Sequence, residues 1–256
     1  MKPNTPLMTI IIPAYNEAHR LPQTLTRVVA FIRSRPEALD VIVVNNNSRD
    51  GTGDVAEAFA REHACVQVLH QPVQGKGAAV RKGMLAATGD YAFICDADLA
   101  MPIEELPRFF PETLGGDYDI AIGSREVAGA QRFNEPFYRH LMGRVFNFIV
   151  RTLAVPGIQD TQCGFKALRR EAAQAIFKVQ RIDGFAFDVE VLAIARRWNY
   201  RIIEVGIPWY YGPGGSVNPL RDSWRMLQEV IRIRRSVRGG DYLRSEERCG
   251  CEGTGA

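Results

Sequence analysis

The chain has 256 residues, of which 46% are apolar and 24% charged, and its formal net charge is +3. These values are ordinary for a water-soluble globular protein and leave room for one large α/β domain. The charge excess is too small to indicate a nucleic-acid partner. No window reaches the ~18 uninterrupted apolar residues of a membrane-spanning helix. Residues 1–6 also lack the apolar stretch of a signal peptide, so we expect a cytoplasmic protein.

Short apolar runs alternate with amphipathic segments along the first half of the chain. The runs at residues 8–12, 41–44, 66–69 and 91–94 predict buried strands. Helical spacing over residues 21–32, and a run of small residues after Gly75, predict helices between them. Strands that alternate with helices indicate an α/β fold, with a mostly parallel sheet and helices on both faces.

Two carboxylates, Asp96 and Asp98, follow the fourth apolar run. Ligands bind at the carboxyl ends of the strands in open parallel sheets. If the strand continues, residues i and i+2 share a face, and the pair can hold one hard divalent cation with its phosphates. An isolated Asp-x-Asp is frequent by chance, with one Asp capping a helix and the other solvated. The rest of the chain must decide between these interpretations.

Polar loops follow three other predicted strands and are expected at the same edge of the sheet. The amides and hydroxyls of residues 45–52 suit a base or ribose, or alternatively turn formation and helix capping. Gly75-Lys76-Gly77 suits a phosphate at a helix start, or a flexible turn. The first strand leads into Pro13-Ala14-Tyr15-Asn16-Glu17, which excludes the G-x-G-x-x-G of a Rossmann dinucleotide site. Gly77 after Lys76 excludes a P-loop.

Four motifs in order resemble those of the family-2 glycosyltransferases with a GT-A fold. They are Ile12-Pro13-Ala14-Tyr15-Asn16-Glu17, Asn46-Asn47-Ser48-Arg49-Asp50-Gly51-Thr52, Gly75-Lys76-Gly77 and Asp96-Ala97-Asp98. A fifth apolar run that ends at Arg125, and residues 158–166, are similar to the dolichyl-phosphate glucosyltransferase and polyprenyl-phosphate mannosyltransferase branch. The resemblance implies one GT-A domain over residues 1–240, with a Rossmann-like, mostly parallel sheet. Residues 241–256 are expected to form a disordered tail.

The resemblance also implies roles for individual residues. Contacts to the donor nucleotide fall to Pro13, Tyr15, Glu17, Asn46, Lys76, Asp96 and Asp98. Asp98 would ligate Mg²⁺ or Mn²⁺ directly, with Asp96 helping through the ribose or a bound water. Arg125 and Lys166 are candidates to hold the diphosphate or the acceptor phosphate. For Arg125 the alternative is a surface ion pair, and for Lys166 a solvated amine.

Asp160 matches the position of the family's proposed base. A sugar hydroxyl acceptor must lose a proton, so a carboxylate nearby would help. A lipid monophosphate has its second pKa near ~6 and is already largely anionic, so it can attack unassisted. In that case Asp160 would instead position Arg125 or Lys166, and we favour this second role.

The implied activity is a metal-dependent, inverting transfer of a sugar from a nucleotide-diphosphate donor to polyprenyl phosphate. UDP-glucose is the favoured donor and GDP-mannose the second choice. Asn45-Asn46-Asn47 stands where the family commonly has Asp-Asp-Gly, which leaves the donor open. One alternative keeps the donor but uses a soluble saccharide or small-molecule hydroxyl as acceptor. Another is a catalytically weak sugar-nucleotide binding protein, and a third is a nucleotidyltransferase.

Two segments indicate contact with an anionic membrane surface. Residues 137–153 have helical spacing, with an apolar stripe of Phe137, Leu141, Val145, Phe148 and Ile149. Residues 221–238 carry six arginines interleaved with apolar residues. Core packing with a solvated charged face is the alternative for both. The functional interpretation is peripheral association with the cytoplasmic face of a membrane.

Overall fold

The computed structural model describes residues 5–212 and 219–243, with residues 219–224 described by their backbone. Within these residues the strands are β1 (Met8–Ala14), β2 (Leu39–Asn45), β3 (Val66–His70), β4 (Tyr91–Ile94), β5 (Ile120–Ser124), β6 (Gln131–Phe133), β7 (Lys166–Arg169), β8 (Ile202–Gly206) and β9 (Pro208–Tyr210). The α-helices are α1 (Leu21–Arg33), α2 (Thr52–Glu62), α3 (Lys76–Ala86), α4 (Phe137–Leu153), α5 (Arg170–Val179), α6 (Phe187–Arg197) and α7 (Pro219–Arg238). A 3-10 helix covers Ile103–Phe109.

Seven strands form the central sheet in the order β3-β2-β1-β4-β7-β5-β8, and β6 pairs with β9 in a separate parallel ribbon. Side chains alternate between the two faces of the sheet along each strand, and each face packs into its own hydrophobic core. Ile10 packs into a hydrophobic core with Leu25 of α1, while its neighbour Ile11 packs into a second core with Val80 of α3. This confirms the predicted α/β architecture with helices on both faces of one sheet.

β7 is the one reversed strand of the central sheet, since it runs antiparallel to both β4 and β5. The other neighbouring pairs in this sheet are parallel. Lys166, the first residue of β7, pairs with Ile94 and Ile122 near the carboxyl ends of their strands. The loop that enters β7 therefore reaches the same edge of the sheet as the loops that leave β4 and β5. No strand was predicted at Lys166–Arg169.

The fourth predicted strand is shorter than the stretch that leads into the carboxylates. β4 ends at Ile94, and Asp96 and Asp98 lie in the turn that follows. Leu99 N donates a hydrogen bond to Asp96 O at 3.1 Å, and Leu99 adopts a positive φ of 48° to close this turn. The two carboxylates therefore do not share the face of a continuing strand. A turn brings them to the carboxyl edge instead.

The end of the described chain packs onto α6. Tyr242 is buried, its hydroxyl donates to Glu190 Oε1 at 2.7 Å, and its carbonyl accepts from Trp198 Nε1 at 2.9 Å. The packed part of the chain thus extends past residue 240, the end predicted for the domain. The rest of the predicted tail, residues 244–256, lies outside the described residues.

Gly83 provides a test of the packing between α3 and β1. An added Cβ would lie 2.4 Å from Ile11 Cγ2, whereas Gly143 of α4 has nothing within 4 Å of the same position. We expect Gly83→Ala to destabilise the protein by about 1–3 kcal/mol, because the clash exceeds the gain in helix propensity of about 1 kcal/mol. Gly143→Ala is the matched control and should be neutral or stabilising. Urea unfolding of both variants measures the difference, and equal stability would contradict the packing described.

Candidate active site

The turn after β4 holds the acidic pair, Asp96 and Asp98, at the carboxyl edge of the sheet. Lys76 Nζ lies 2.6 Å from Asp96 Oδ1, and Asp98 Oδ1 accepts a hydrogen bond from Ala100 N at 3.1 Å. Partial desolvation, and next the negative charge of Asp96, raise the pKa of Asp98, whose carboxylate remains open to solvent. The pair therefore has negative charge that one lysine does not balance, which suits an added cation.

The donor set at this edge fits a cation shared with a phosphorylated substrate. Among the residues that the structure describes, no group of three or more His, Cys, Asp and Glu side chains forms a metal cage. Mg²⁺ in nucleotide sites is commonly held by one or two carboxylates, with substrate phosphates and waters completing its shell. Asp96 and Asp98 supply that number of carboxylates, and Asp98 is exposed to solvent.

Gly164, in the loop before β7, lets that loop pack directly against the acidic pair. A Cβ at this position would lie 2.0 Å from Asp96 Oδ2, which is closer than non-bonded atoms approach. No other residue fits at position 164 without moving the Asp96 carboxylate. The loop of residues 158–165 and the turn after β4 therefore form one packed unit.

Lys76 is the first residue of α3 and is placed by contacts of its neighbours. Gly77 N and Ala78 N both donate to Asp183 O, at 2.7 and 3.2 Å. Partial burial acts to lower the pKa of Lys76, but the charges of Asp96 and Asp188 outweigh it and raise that pKa. Lys76 therefore stays cationic beside the acidic pair.

Lys166 lies beneath the site and is fully buried. Its Nζ is 2.5 Å from Asp188 Oδ1 and also donates to Cys163 O. Burial raises the pKa of Asp188, against the opposing charges of Lys166 and Lys76. Lys166 is thus neither a solvated lysine nor a surface clamp, but one half of a buried ion pair.

Asn46 is also buried, and both ends of its amide make hydrogen bonds within the protein. Its Nδ2 donates to Val73 O at 2.9 Å, and its Oδ1 accepts from Gly75 N at 2.8 Å. These bonds hold the loop that leads into α3 and Lys76. The predicted contact of Asn46 with a nucleotide base stays a prediction.

The loop after β1 joins the same edge. Pro13 lies near the end of β1, Tyr15 is 41% exposed, and Glu17 N donates to Thr52 Oγ1 at 2.8 Å. Partial burial raises the pKa of Glu17, Arg20 opposes this, and the charge of Asp98 adds to it. Glu17 therefore lies within the electrostatic field of the acidic pair, while Tyr15 faces solvent beside it.

Arg125 and Asp160 form an ion pair held by three hydrogen bonds. Arg125 Nε donates to Asp160 Oδ2 at 2.8 Å, its Nη2 donates to Oδ1 at 3.0 Å, and its backbone N donates to Oδ2 at 3.0 Å. Although burial opposes the charged form, the Arg125 guanidinium lowers the pKa of Asp160 to about 2. Asp160 is therefore ionised at neutral pH and has little basicity. The alternative considered for Arg125, a surface ion pair, is wrong, because its partner carboxylate is buried.

A cavity of about 1270 Å³ borders Lys76, Arg125 and Asp160. Its wall carries further arginines from β6, α4, α7 and the loop after α5: Arg132, Arg139, Arg181, Arg225 and Arg232. The guanidinium groups of Arg125 and Arg132 lie 5.3 and 6.0 Å from the ring centre of Trp209, within the range of cation–π contact. The basic character of α7 is visible in the sequence, whereas Arg132 and Arg139 belong to no sequence motif.

One side of α4 exposes the α4 apolar surface, which we define as six residues that are 45–79% exposed: Phe137, Tyr138, Leu141, Met142, Val145 and Phe148. Val150 on the same helix is fully buried. Four of the five residues in the predicted stripe thus face solvent, which excludes core packing for them. Within the described part of the chain, no helix combines the length and apolar content needed to cross a membrane.

Solved structures share this arrangement of strands. Mannosyl-3-phosphoglycerate synthase from Rubrobacter xylanophilus matches with a TM-score of 0.68 at 18% identity, over 94% of this chain and 77% of its own. Glucosyl-3-phosphoglycerate synthase from Mycobacterium tuberculosis, crystallised with Mn²⁺, UDP-glucose and phosphoglyceric acid, matches with a TM-score of 0.61 at 18% identity, over 91% and 80%. The mostly parallel sheet with its reversed β7 is a GT-A fold.

The sequence comparison defines the family. The family model for glycosyl transferase family 2 matches residues 9–177. The dolichyl-phosphate beta-glucosyltransferase of Dictyostelium discoideum is 32% identical over 240 residues, which is 89% of this chain and 73% of that protein. The human dolichyl-phosphate beta-glucosyltransferase is 30% identical over 251 residues, at 90% and 75% coverage. The chain belongs to glycosyl transferase family 2.

Asp160→Asn tests the buried ion pair through stability. Removing the charge leaves Arg125 without its partner, so we expect a loss of about 3 kcal/mol at pH 7. The folded-state pKa of about 2 lies below the ordinary value of 3.8. The stabilisation is therefore complete well above pH 3.8 and is lost as the pH falls towards 2.

Urea unfolding between pH 3 and 7 should show the gap between the wild type and Asp160→Asn narrowing in acid. Glu104→Gln is the control, because the Arg27–Glu104 pair is similarly bidentate but exposed. Its loss should stay below about 1 kcal/mol. A loss for Asp160→Asn no larger than that of the control would contradict the buried pairing.

Proposed function

We propose that this protein transfers a sugar, with inversion, from a nucleotide-diphosphate donor to the phosphate of a polyprenyl phosphate. UDP-glucose is the proposed donor, and Mg²⁺ or Mn²⁺ the proposed cofactor. The observation that carries the proposal is the arrangement around one cavity. Lys76, next to the acidic pair, and the Arg125–Asp160 pair border it. Arg139, Gly143 and Asn147 of α4 form part of its wall.

The donor end consists of the acidic pair and the loops around it. Asp98, assisted by Asp96, would hold the divalent cation, which when bound supplies Lewis-acid stabilisation of the departing diphosphate. Lys76 adds a fixed positive charge next to that diphosphate. We assign Pro13, Tyr15 and Glu17 to the nucleotide, and Asn46 to the support of the loop that carries Lys76.

The choice of donor and acceptor is supported by what relatives are named for. The curated relatives from Dictyostelium discoideum and human are dolichyl-phosphate beta-glucosyltransferases. The Mycobacterium tuberculosis enzyme on the same fold was crystallised with Mn²⁺ and UDP-glucose. Both support a glucose donor. The names of the curated relatives support a lipid phosphate over a soluble hydroxyl acceptor.

The acceptor end is built for an anion that needs no general base. A base works best with a pKa near the working pH, whereas the pKa of Asp160 is about 2. A phosphate monoester has its second pKa near ~6, so one of its oxygens can attack the anomeric carbon without losing a proton. We therefore assign Asp160 the positioning of Arg125, and Arg125 the binding of the acceptor phosphate. Lys166 holds Asp188, which borders the cavity, through their buried ion pair.

Two helices that pack against each other, α4 and α7, support contact with a membrane. The α4 apolar surface would enter the interface between lipid headgroups and chains, while Arg225, Arg232 and Arg235 of α7 are exposed to attract anionic headgroups. We place the protein peripherally at the cytoplasmic face of a membrane. The free thiols of Cys95 and Cys163 suit a reducing compartment.

The decisive experiment offers UDP-glucose, GDP-mannose and UDP-N-acetylglucosamine to the protein with polyprenyl phosphate in anionic vesicles. Mass spectrometry identifies the product and NMR its anomeric configuration. We expect a β-linked glucosyl polyprenyl phosphate, formed fastest from UDP-glucose. Transfer only to a soluble saccharide, or donor binding without transfer to any acceptor, would overturn the proposal in favour of those alternatives.

Asp98→Ala tests the metal assignment. We expect transfer to fall by about 10²-fold or more, because the charge on the leaving group is no longer neutralised. Mn²⁺ binding, measured by electron paramagnetic resonance in the presence of UDP, should weaken in parallel. EDTA should stop the wild type, and added Mn²⁺ should restore it. Asp54→Ala removes an exposed carboxylate of α2 and should change neither quantity; unaltered Mn²⁺ binding by Asp98→Ala would refute the assignment.

Flotation with vesicles tests the α4 apolar surface. Leu141→Ser combined with Phe148→Ser removes two side chains that are 52% and 65% exposed. We expect about a tenfold fall in partitioning onto anionic vesicles, because less apolar area enters the interface. Leu85→Ser, at a 39% exposed position on α3, is the control and should bind like the wild type. Absence of wild-type flotation at low salt would remove the membrane assignment.

A further inference from the structure

The loop that carries Asp160 is held by side chains from two distant elements. Glu204 of β8 accepts a hydrogen bond from Gln159 N at 2.8 Å and another from Asp160 N at 3.0 Å. Asn147 of α4 accepts from Thr161 N at 3.2 Å and from Thr161 Oγ1 at 2.8 Å, and its Nδ2 donates to Gln159 O. Each of the three consecutive residues thus has a backbone atom bonded to one of these two side chains.

These bonds matter because the Asp160 side chain makes no hydrogen bond to β8 or α4, the two elements that hold its loop. Its carboxylate is occupied by three bonds from Arg125 and by Gln162 N at 3.3 Å. The position of the carboxylate therefore depends on where the backbone of the loop is held. The Glu204 carboxylate holds that backbone firmly, because its bonds from two backbone N–H groups are charge-assisted and therefore stronger than neutral ones.

We propose that Glu204 and Asn147 are positioning residues for the transfer reaction. They fix the loop so that Asp160 holds the Arg125 guanidinium where the acceptor phosphate binds. The inference rests on the proposed function, in which Arg125 binds that phosphate. It adds two residues to the site, neither of which belongs to one of its sequence motifs. Asn147 also links the loop to α4, the helix that carries the apolar surface.

Steady-state kinetics with UDP-glucose and polyprenyl phosphate in vesicles provides the first test. Glu204→Gln keeps the shape but turns an amide N–H₂ towards a backbone N–H, and Asn147→Ala removes all three bonds. We expect each to raise the KM for polyprenyl phosphate by about tenfold, with the KM for UDP-glucose unchanged. A merely structural role would reduce the active fraction, lowering kcat and leaving both KM values as they were.

Two further variants sharpen that readout. Asn147→Asp keeps the acceptor for Thr161 but sets a carboxylate oxygen against Gln159 O, so it should also raise the KM for polyprenyl phosphate. Glu57→Gln alters an exposed glutamate that pairs with His70, and should behave as the wild type. A KM for polyprenyl phosphate that is unchanged in Glu204→Gln and Asn147→Ala would overturn the inference.

A double-mutant cycle asks whether Glu204 acts through Arg125. In an Arg125→Lys background the bidentate contact to Asp160 is lost, so Glu204→Gln should add less than about a twofold further rise in the KM for polyprenyl phosphate. Fully additive effects of the two changes would mean that Glu204 acts by another route, and would refute the proposal.

A measurement that needs no turnover separates this inference from the proposed function. Hydrogen exchange at Arg125 Nε–H, followed by ¹⁵N NMR, reports how firmly the guanidinium is held on Asp160. Exchange should be faster in Glu204→Gln and Asn147→Ala than in the wild type and Glu57→Gln. A wild type without transfer but with this pattern would refute only the proposed function. Exchange that is equal in all four proteins would refute the positioning role.

Discussion

The site depends on pairing charges that the fold has taken out of water. An unpaired buried ion is costly, so each cation near the sheet edge lies against a carboxylate that neutralises it. Arg125 is paired with Asp160, Lys166 with Asp188, and Lys76 with Asp96. Asp98 departs from this pattern, since it has no ion pair in the described structure and its pKa is raised. The acidic pair is thus left with one carboxylate that no ion pair of the described residues neutralises.

The reversed strand β7 is what allows these pairs to form. Because it runs against its neighbours, the chain enters it at the edge where β4 and β5 end. The loop before β7 then packs Gly164 against Asp96 and brings Asp160 to Arg125. With a parallel strand in the same place, that loop would lie at the opposite edge of the sheet. One strand direction thus joins the donor and acceptor halves of the proposed site.

Local patterns in the sequence predicted the first half of the molecule well, since buried apolar runs and helical spacing are properties of neighbouring residues. They placed β1, β2, β3 and the residues of the acidic pair at one edge. Local patterns carry no information on contacts between residues that are distant in the chain. β7 has only two apolar residues between the charged Lys166 and Arg169, so no buried apolar run marks it. The hydrogen bonds from Glu204 and Asn147 to residues 159–161 join positions far apart in the chain. The buried state of Lys166 and Asn46 likewise depends on what packs over them.

The exposed α4 apolar surface has a kinetic consequence. A protein docked through it would search for its acceptor by lateral diffusion in two dimensions, while its donor would arrive from the bulk solution in three. The relevant acceptor concentration is then a surface density, and diluting the lipid with inert lipid should slow the reaction even when the total amount of acceptor is constant. Phe137 and Phe148, 79% and 65% exposed, would thus confine the search for the acceptor to the membrane plane.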